Sequence, residues 1–115
     1  MSKQRQKGTA WETAIVAYLK ANGFPYAERR AMRCNRDAGD IAGIPGIAIE
    51  AKNHKSLDLG TWMNEAEVGA RNAGCTRFAV WHKRRMKPIA ESYVTIPGWF
   101  FVELIRDDDI AEGAA

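Results

Sequence analysis

The segment Glu50-Ala-Lys52 closes the run Ile47–Lys52, and Asp40 precedes Glu50 by ten residues across Gly43-Ile-Pro-Gly46. Strand side chains alternate, so Ile47, Ile49 and Ala51 point one way and Ala48, Glu50 and Lys52 the other. A tight turn through Gly43–Gly46 brings Asp40 within a pair or two of Glu50. Two carboxylates and an ammonium then share one small patch. Carboxylates that close repel each other unless a cation sits between them. Hard oxygen ligands suit Mg²⁺ or Mn²⁺. Such an ion polarises a phosphodiester, lowers the pKa of a bound water and stabilises the leaving oxygen. Lys52 would hold the attacking water or neutralise charge developing on phosphorus. A strand Glu and Lys two residues apart are also common on solvated faces. The Gly39-Asp40 step and the apolar Ile47/Ile49 face are what favour a site.

Glu12 has two readings. Thr9-Ala-Trp-Glu12 fits a capping box, in which Glu12 reaches back to the amides that open its own helix. A carboxylate in the first turn can also face a metal.

Three basic clusters accompany these residues: Lys3, Arg5 and Lys7; Arg29, Arg30, Arg33 and Arg36; and Lys83, Arg84, Arg85 and Lys87. Each Lys or Arg that neutralises a phosphate displaces a counterion. One cluster alone is usually a solubility device, but three in a chain of 115 residues point to a nucleic-acid surface. The formal charge is +3, yet residues 1–102 carry sixteen bases and nine acids, a net of +7. The remaining five acids lie in 103–115, against one base, Arg106. A basic body of this kind favours a polyanionic partner.

The length fits one domain able to bury a core without staples. No apolar run reaches the 18 or so residues of a membrane span. The basic start lacks the uninterrupted apolar stretch of a secretory signal. Cys34 and Cys75 stand far apart with no C-x-x-C pair, which favours reduced thiols and a cytoplasmic location. No phosphate-binding loop of the G-x-x-x-x-G-K-[ST] type occurs, so a nucleotide cofactor has no support. His54 and His82 read as surface or satisfied residues, and Glu67 with Arg71 as a helix-surface pair.

The elements that must position these groups follow from periodicity. Trp11, Ala14, Ile15, Tyr18 and Leu19 share one face of a helix opening at Thr9 and stopped by Asn22-Gly23. Two strands, ending at Ala42 and Lys52, flank the tight turn. Leu59, Trp62, Met63, Ala66, Ala70 and Ala73 predict a second helix ended by Gly74. Thr76–His82 reads as a strand, 83–88 as a basic loop and Ser92–Ile96 as a strand. Trp99–Ile105 is apolar on every side, so periodicity does not separate strand from helix there. The order predicts a mixed α/β domain with a central sheet. It divides into a flexible basic arm (1–7), the domain (8–106) and an acidic, small-residue tail (107–115).

The pattern resembles the PD-(D/E)xK nuclease superfamily, and more closely the small archaeal-type Holliday junction resolvases, of which phages carry versions. The resemblance rests on Lys7-Gly8-x-x-x-Glu12, Gly23-Phe24, Gly39-Asp40-Ile41, Ile47-Ala-Ile-Glu50-Ala-Lys52 and Ala73-Gly74 before a strand and basic loop. It spans about residues 7–88. Gly39 occupies the place of the superfamily's proline. The resemblance implies a restriction-endonuclease-like domain with a central mixed sheet flanked by helices. It implies Glu12, Asp40 and Glu50 as acidic metal-site residues for Mg²⁺, with Mn²⁺ as a substitute, and Lys52 as the active-site lysine. It further implies a homodimer that resolves four-way DNA junctions by paired symmetric nicks, inside a bacterial host if phage-encoded. Two other readings stay open: another nuclease of the superfamily acting on duplex, flap or single-stranded nucleic acid, and a non-catalytic nucleic-acid-binding module.

Overall fold

The computed structural model describes residues 2–30 and 38–107. Helix α1 (Lys3–Ala21) is followed by strands β1 (Glu28–Arg29), β2 (Ile41–Ala42) and β3 (Ile47–Lys52). Helix α2 (Leu59–Ala73), β4 (Arg77–His82), a 3₁₀ turn (Ile89–Glu91), β5 (Tyr93–Thr95) and α3 (Gly98–Ile105) complete the order. Among the described residues this is an α/β domain, one five-stranded mixed sheet flanked by three helices. No helix among them is long and apolar enough to cross a membrane. Arg33, Arg36, Cys34 and the tail after Asp107 lie outside the described residues.

Spatial order equals chain order, β1-β2-β3-β4-β5. The turn at Gly43–Gly46 folds β2 antiparallel onto β3, with Ile41 opposite Ile49. Gly43 has φ 88°, and a Cβ there would overlap the Tyr26 carbonyl, so only glycine fits. Strands β3 and β4 run parallel from Ile47 opposite Arg77 to Lys52 opposite His82. A parallel pair needs a long crossover, and α2 supplies it. Strand β5 closes the sheet antiparallel to β4.

The alternation along β3 divides the core into two layers. Ile49 packs with Trp11, Ile15 and Ile41 under α1. Ala48 packs with Trp62, Ala66, Ala70, Phe78 and Val80 under α2. Both indole N–H groups that cross the first layer are satisfied: Trp11 donates to the Trp81 carbonyl at 3.1 Å, and Trp81 to Ser92 Oγ at 2.7 Å. Leaving such a buried indole N–H unpaired would cost about 1–3 kcal/mol.

Helix α1 begins at Lys3, not Thr9. Ser2 is its N-cap and accepts from the Arg5 amide at 3.1 Å. The expected flexible arm is therefore the first turns of a helix, and Gly8 inside it costs only about 1 kcal/mol relative to Ala. Thr9 and Glu12 lie within the helix, so the capping-box reading of Glu12 is excluded. The undecided segment Trp99–Ile105 is helical, and Pro97, extended at φ −62° and ψ 150°, stands at its N-cap.

Helix α2 sits close on the sheet because its inner stripe is small. At Gly69 a Cβ would lie 3.0 Å from the Gly39 amide nitrogen and 3.3 Å from Glu50 Oε1. In an open helix position Gly→Ala gains up to about 1 kcal/mol, whereas forcing a methyl into packed backbone costs about 1–3 kcal/mol. Gly69→Ala is therefore expected to destabilise the fold by about 1–2 kcal/mol. Gly60→Ala, on the same helix with nothing within 4 Å, is expected to stabilise it. Denaturant midpoints of the two variants check the opposite signs.

Candidate functional site

Asp40 sits where the β2–β3 ladder stops. Its amide donates to the Ile49 carbonyl at 2.9 Å, and Oδ2 accepts from the Ala51 amide at 2.8 Å. The side chain thus takes the β3 amide that a backbone carbonyl would otherwise receive. Gly39 makes this entry possible with φ 92°, a conformation closed to proline. Helix α2 rests on this backbone through Gly69. The Asp40 carbonyl in turn accepts from the Arg30 amide at 2.8 Å, which ties the second basic cluster to the same point.

Glu50 and Lys52 leave β3 on the α2 side. Glu50 is only 4% exposed, unusual for a carboxylate, and lies against Gly69. Lys52 Nζ donates to Glu65 Oε2 of α2 at 2.5 Å, with the lysine side chain 15% exposed. The pair fixes the ammonium beside the carboxyl end of β3. His82 is the β4 neighbour of Lys52 in register. It is buried, meets Thr95 Oγ1 through Nε2 at 2.8 Å and lies 5.9 Å from the Trp62 ring. Burial pushes its pKa below the usual histidine value, so near pH 7 it is the neutral, satisfied residue the sequence reading allowed.

Glu12 reaches the site from the opposite face. Its Oε1 accepts from Arg29 Nε at 3.4 Å. Partial burial pushes its carboxyl above the ordinary range, the Asp40 charge adds to the rise, and Arg29 offsets part of it. The Glu12 carboxyl on α1 is thus within electrostatic reach of Asp40, the residue before β2.

Among the described residues no three His, Cys, Asp or Glu side chains form a ready metal-binding group. One oxygen of Asp40 is turned to Ala51, and Glu12 is turned to Arg29. The donor chemistry still fits a hard divalent cation: carboxylate oxygens from α1, from the residue before β2 and from β3, with the Asp40 charge adding to the raised proton affinity of Glu12. The geometry draws Asp40, Glu50 and Lys52 to one end of the sheet and brings Glu12 beside Asp40.

The basic residues divide. Lys3, Arg5 and Lys7 are exposed on the first turns of α1. Arg29 is spent partly on Glu12, and Arg30 Nε is buried with no hydrogen-bond partner among the described residues. The loop after β4 is pinned at its root: Lys83 lies 5.9 Å from the Trp11 ring centroid and Arg84 4.3 Å from that of Tyr93. Arg85 and Lys87 are exposed, and between them Met86 holds φ 62°. The Lys83 amide donates to the Lys52 carbonyl at 2.9 Å, so this loop grows directly from the candidate site. Ligands of open sheets gather outside the carboxyl ends of parallel strands, and β3 and β4 end here.

Sequence reasoning missed Glu65 and Gly69. The available signal was an acid and a glycine beside the Trp62/Ala66/Ala70 stripe, three residues on and one residue short of its members. Comparison with protein-family models, with curated proteins and with solved structures found no match.

A carboxyl whose folded pKa is raised holds its proton more tightly in the folded state. Its stabilising contribution is present in acid and is lost as pH rises from about 4.5 through the folded value. Metal-free Glu12→Gln is therefore expected to gain stability on the parent chain as pH rises through that window. Thermal unfolding between pH 4 and 7.5 checks the sign.

Proposed function

We propose that this chain is a divalent-metal-dependent endonuclease of PD-(D/E)xK type, with a restriction-endonuclease-like fold, acting on branched DNA in the cytoplasm. The observation that carries the reading is the seat of Asp40. Its carboxylate lies on the backbone of β3 one residue from both Glu50 and Lys52, and its charge is felt by Glu12. Acids and a lysine near the carboxyl end of β3, beside a basic loop, suit metal-assisted phosphodiester hydrolysis.

Asp40, Glu50 and Glu12 would hold Mg²⁺, which when bound polarises the phosphate and lowers the pKa of a bound water. The chain's own groups do the rest. Lys52, aimed by Glu65, supplies positive charge beside the scissile phosphate. Asp40 is held in place by the Ala51 amide, which fixes the direction of its carboxylate. The Arg30 side chain, whose Nε has no partner among the described residues, is suited to a phosphate oxygen. Lys3, Arg5, Lys7, Arg85 and Lys87 extend the cationic surface along a nucleic-acid backbone, which reads shape and not sequence. Junction selectivity and a dimer acting on two strands rest on the resemblance to resolvases.

A non-catalytic nucleic-acid-binding module is favoured by a different observation: Glu12 and Lys52 both sit in ion pairs that hold the fold without metal. Cleavage separates the two. With Mg²⁺, the protein is expected to nick a synthetic four-way junction in preference to matched duplex. Lys52→Ala is expected to lower the rate by about 10²–10³-fold, and Asp40→Asn and Glu50→Gln to lower it at least as far. Equal cutting of junction and duplex would remove the junction claim, and undiminished cutting by the variants would remove the site. No cleavage of any substrate would select the binding module. In binding without metal, Lys87→Ala is expected to reduce the salt slope by about 1.

A further inference from the structure

The loop between β4 and the 3₁₀ turn carries one residue that its own turn does not explain. Met86 is 98% exposed, at the tip of Lys83-Arg84-Arg85-Met86-Lys87. Scattered apolar residues on a surface need no account. Met86, however, also holds φ 62°, and among the described residues it is the one non-glycine residue with positive φ. The Lys87 amide donates to the Arg84 carbonyl at 3.4 Å, which closes a turn with Met86 in its third position. A positive φ at that position favours glycine or asparagine. Methionine therefore takes a backbone conformation it resists and projects its whole side chain into water. Packing offsets neither choice, and backbone strain kept in this way points to a use for the side chain.

The stalk below the tip is held fast. Arg84 stacks on Tyr93 at 4.3 Å from the ring centroid and donates to the Glu91 carbonyl at 3.0 Å. The Lys83 amide donates to the Lys52 carbonyl at 2.9 Å, and its ammonium lies over the Trp11 ring. On the far side the Pro88 carbonyl accepts from the Glu91 amide at 2.9 Å. What stands clear is an apolar side chain between two exposed cations, Arg85 and Lys87. No acid occurs from Lys83 to Ala90.

We propose that Met86 is a wedge that enters the interrupted base stack of branched DNA, while Arg85 and Lys87 hold the phosphates on either side. Charge selects the partner, because cations without an intervening acid suit a polyanionic backbone. The thioether selects the point of contact. It is unbranched, polarisable and able to fill an irregular apolar gap, and the apolar surface that DNA offers is the face of a base. Proteins that enter a base step do so with apolar side chains, methionine among them, and must offset the unstacking of that step. Matched duplex opposes entry with its full stacking energy. At a branch point the stack is already broken, so the opposition is smallest there. The tip thus discriminates by deformability, without hydrogen bonds to base edges. Because the loop leaves the sheet beside Lys52, a strand held at the tip lies next to the candidate site. The inference rests on the branched-DNA reading for its substrate and supplies the residue that tells a branch from a duplex.

Equilibrium binding of the full chain without metal, read by fluorescence anisotropy, compares a synthetic four-way junction with matched duplex. Met86→Gly suits the left-handed φ and keeps the turn. It is expected to lower the junction-to-duplex affinity ratio by about tenfold, the scale of one lost stacking contact, with unchanged circular dichroism. Met86→Leu keeps an apolar side chain and is expected to retain the preference. The salt slope is expected to stay the same in both variants, since no charge is removed. A fluorescent adenine analogue at the branch point is expected to brighten as it unstacks on binding the parent chain, and not on binding Met86→Gly. A parent chain that binds both DNAs equally overturns the proposal, as does a ratio that Met86→Gly leaves unchanged. Binding to anionic lipid vesicles that Met86→Gly abolishes, with DNA binding unaltered, overturns it in favour of a membrane surface. Because no cleavage is read, a ratio that falls in Met86→Gly supports it even if the protein cuts no DNA. Junction cleavage that stays as selective in Met86→Gly as in the parent overturns it and leaves the nuclease reading intact.

Discussion

The bond from the Ala51 amide to the Asp40 carboxylate is where the strands, the helices and the candidate chemistry meet. Strand β2 is short and cannot hold β3 by backbone pairing alone past Ile41–Ile49. Asp40 continues the attachment through its side chain, and so carries its carboxylate onto the strand that bears Glu50 and Lys52. The backbone reaches that position only through the positive φ of Gly39. Gly39 then forms the floor on which Gly69 of α2 rests, and α2 brings Glu65 to Lys52. A single local geometry thus sets the spacing of the sheet, the depth of the helix and the aim of the lysine.

The electrostatics of the same point are costly in the isolated chain. Burial and the Asp40 charge oppose the ionisation of Glu12, and Glu50 is held almost out of water. The fold offsets this with cations of its own, Arg29 on Glu12 and Lys52 on Glu65. The more exposed of the two, Arg29–Glu12, contributes about 0–1 kcal/mol. An arriving divalent cation would take up the negative charge of such a cluster. The basic loop rooted at Lys83 and the cationic first turns of α1 flank it on the side where a phosphate backbone would lie.

Much of the fold was legible because one face of each element is buried. Alternation in Ile47–Lys52 marked β3 and its two faces, and the Trp62/Ala66/Ala70 spacing marked α2 with Gly74 as its stop. The turn at Gly43–Gly46 correctly brought Asp40 toward Glu50. The start of α1 was not legible, because Ser2-Lys-Gln-Arg5 lacks the acid that makes Thr9-Ala-Trp-Glu12 resemble a cap. Glu65 escaped notice because its role depends on a tertiary approach, α2 across β3, that no local spacing encodes. The helical state of Trp99–Ile105 was undecidable from pattern because the segment is apolar on both its inner and its outer side. That ambiguity is the same property that leaves α3 with a greasy outer face.

The central claim is that the carboxylates around Asp40 exist to receive a divalent cation, and calorimetric titration with Mn²⁺ reads it without reference to any substrate. The parent chain is predicted to bind Mn²⁺, and Asp40→Asn, with its fold retained by circular dichroism, to bind at least tenfold more weakly, a loss of about 1.4 kcal/mol or more. Equal affinity in the two proteins, or no binding by the parent chain with or without DNA, would contradict the account.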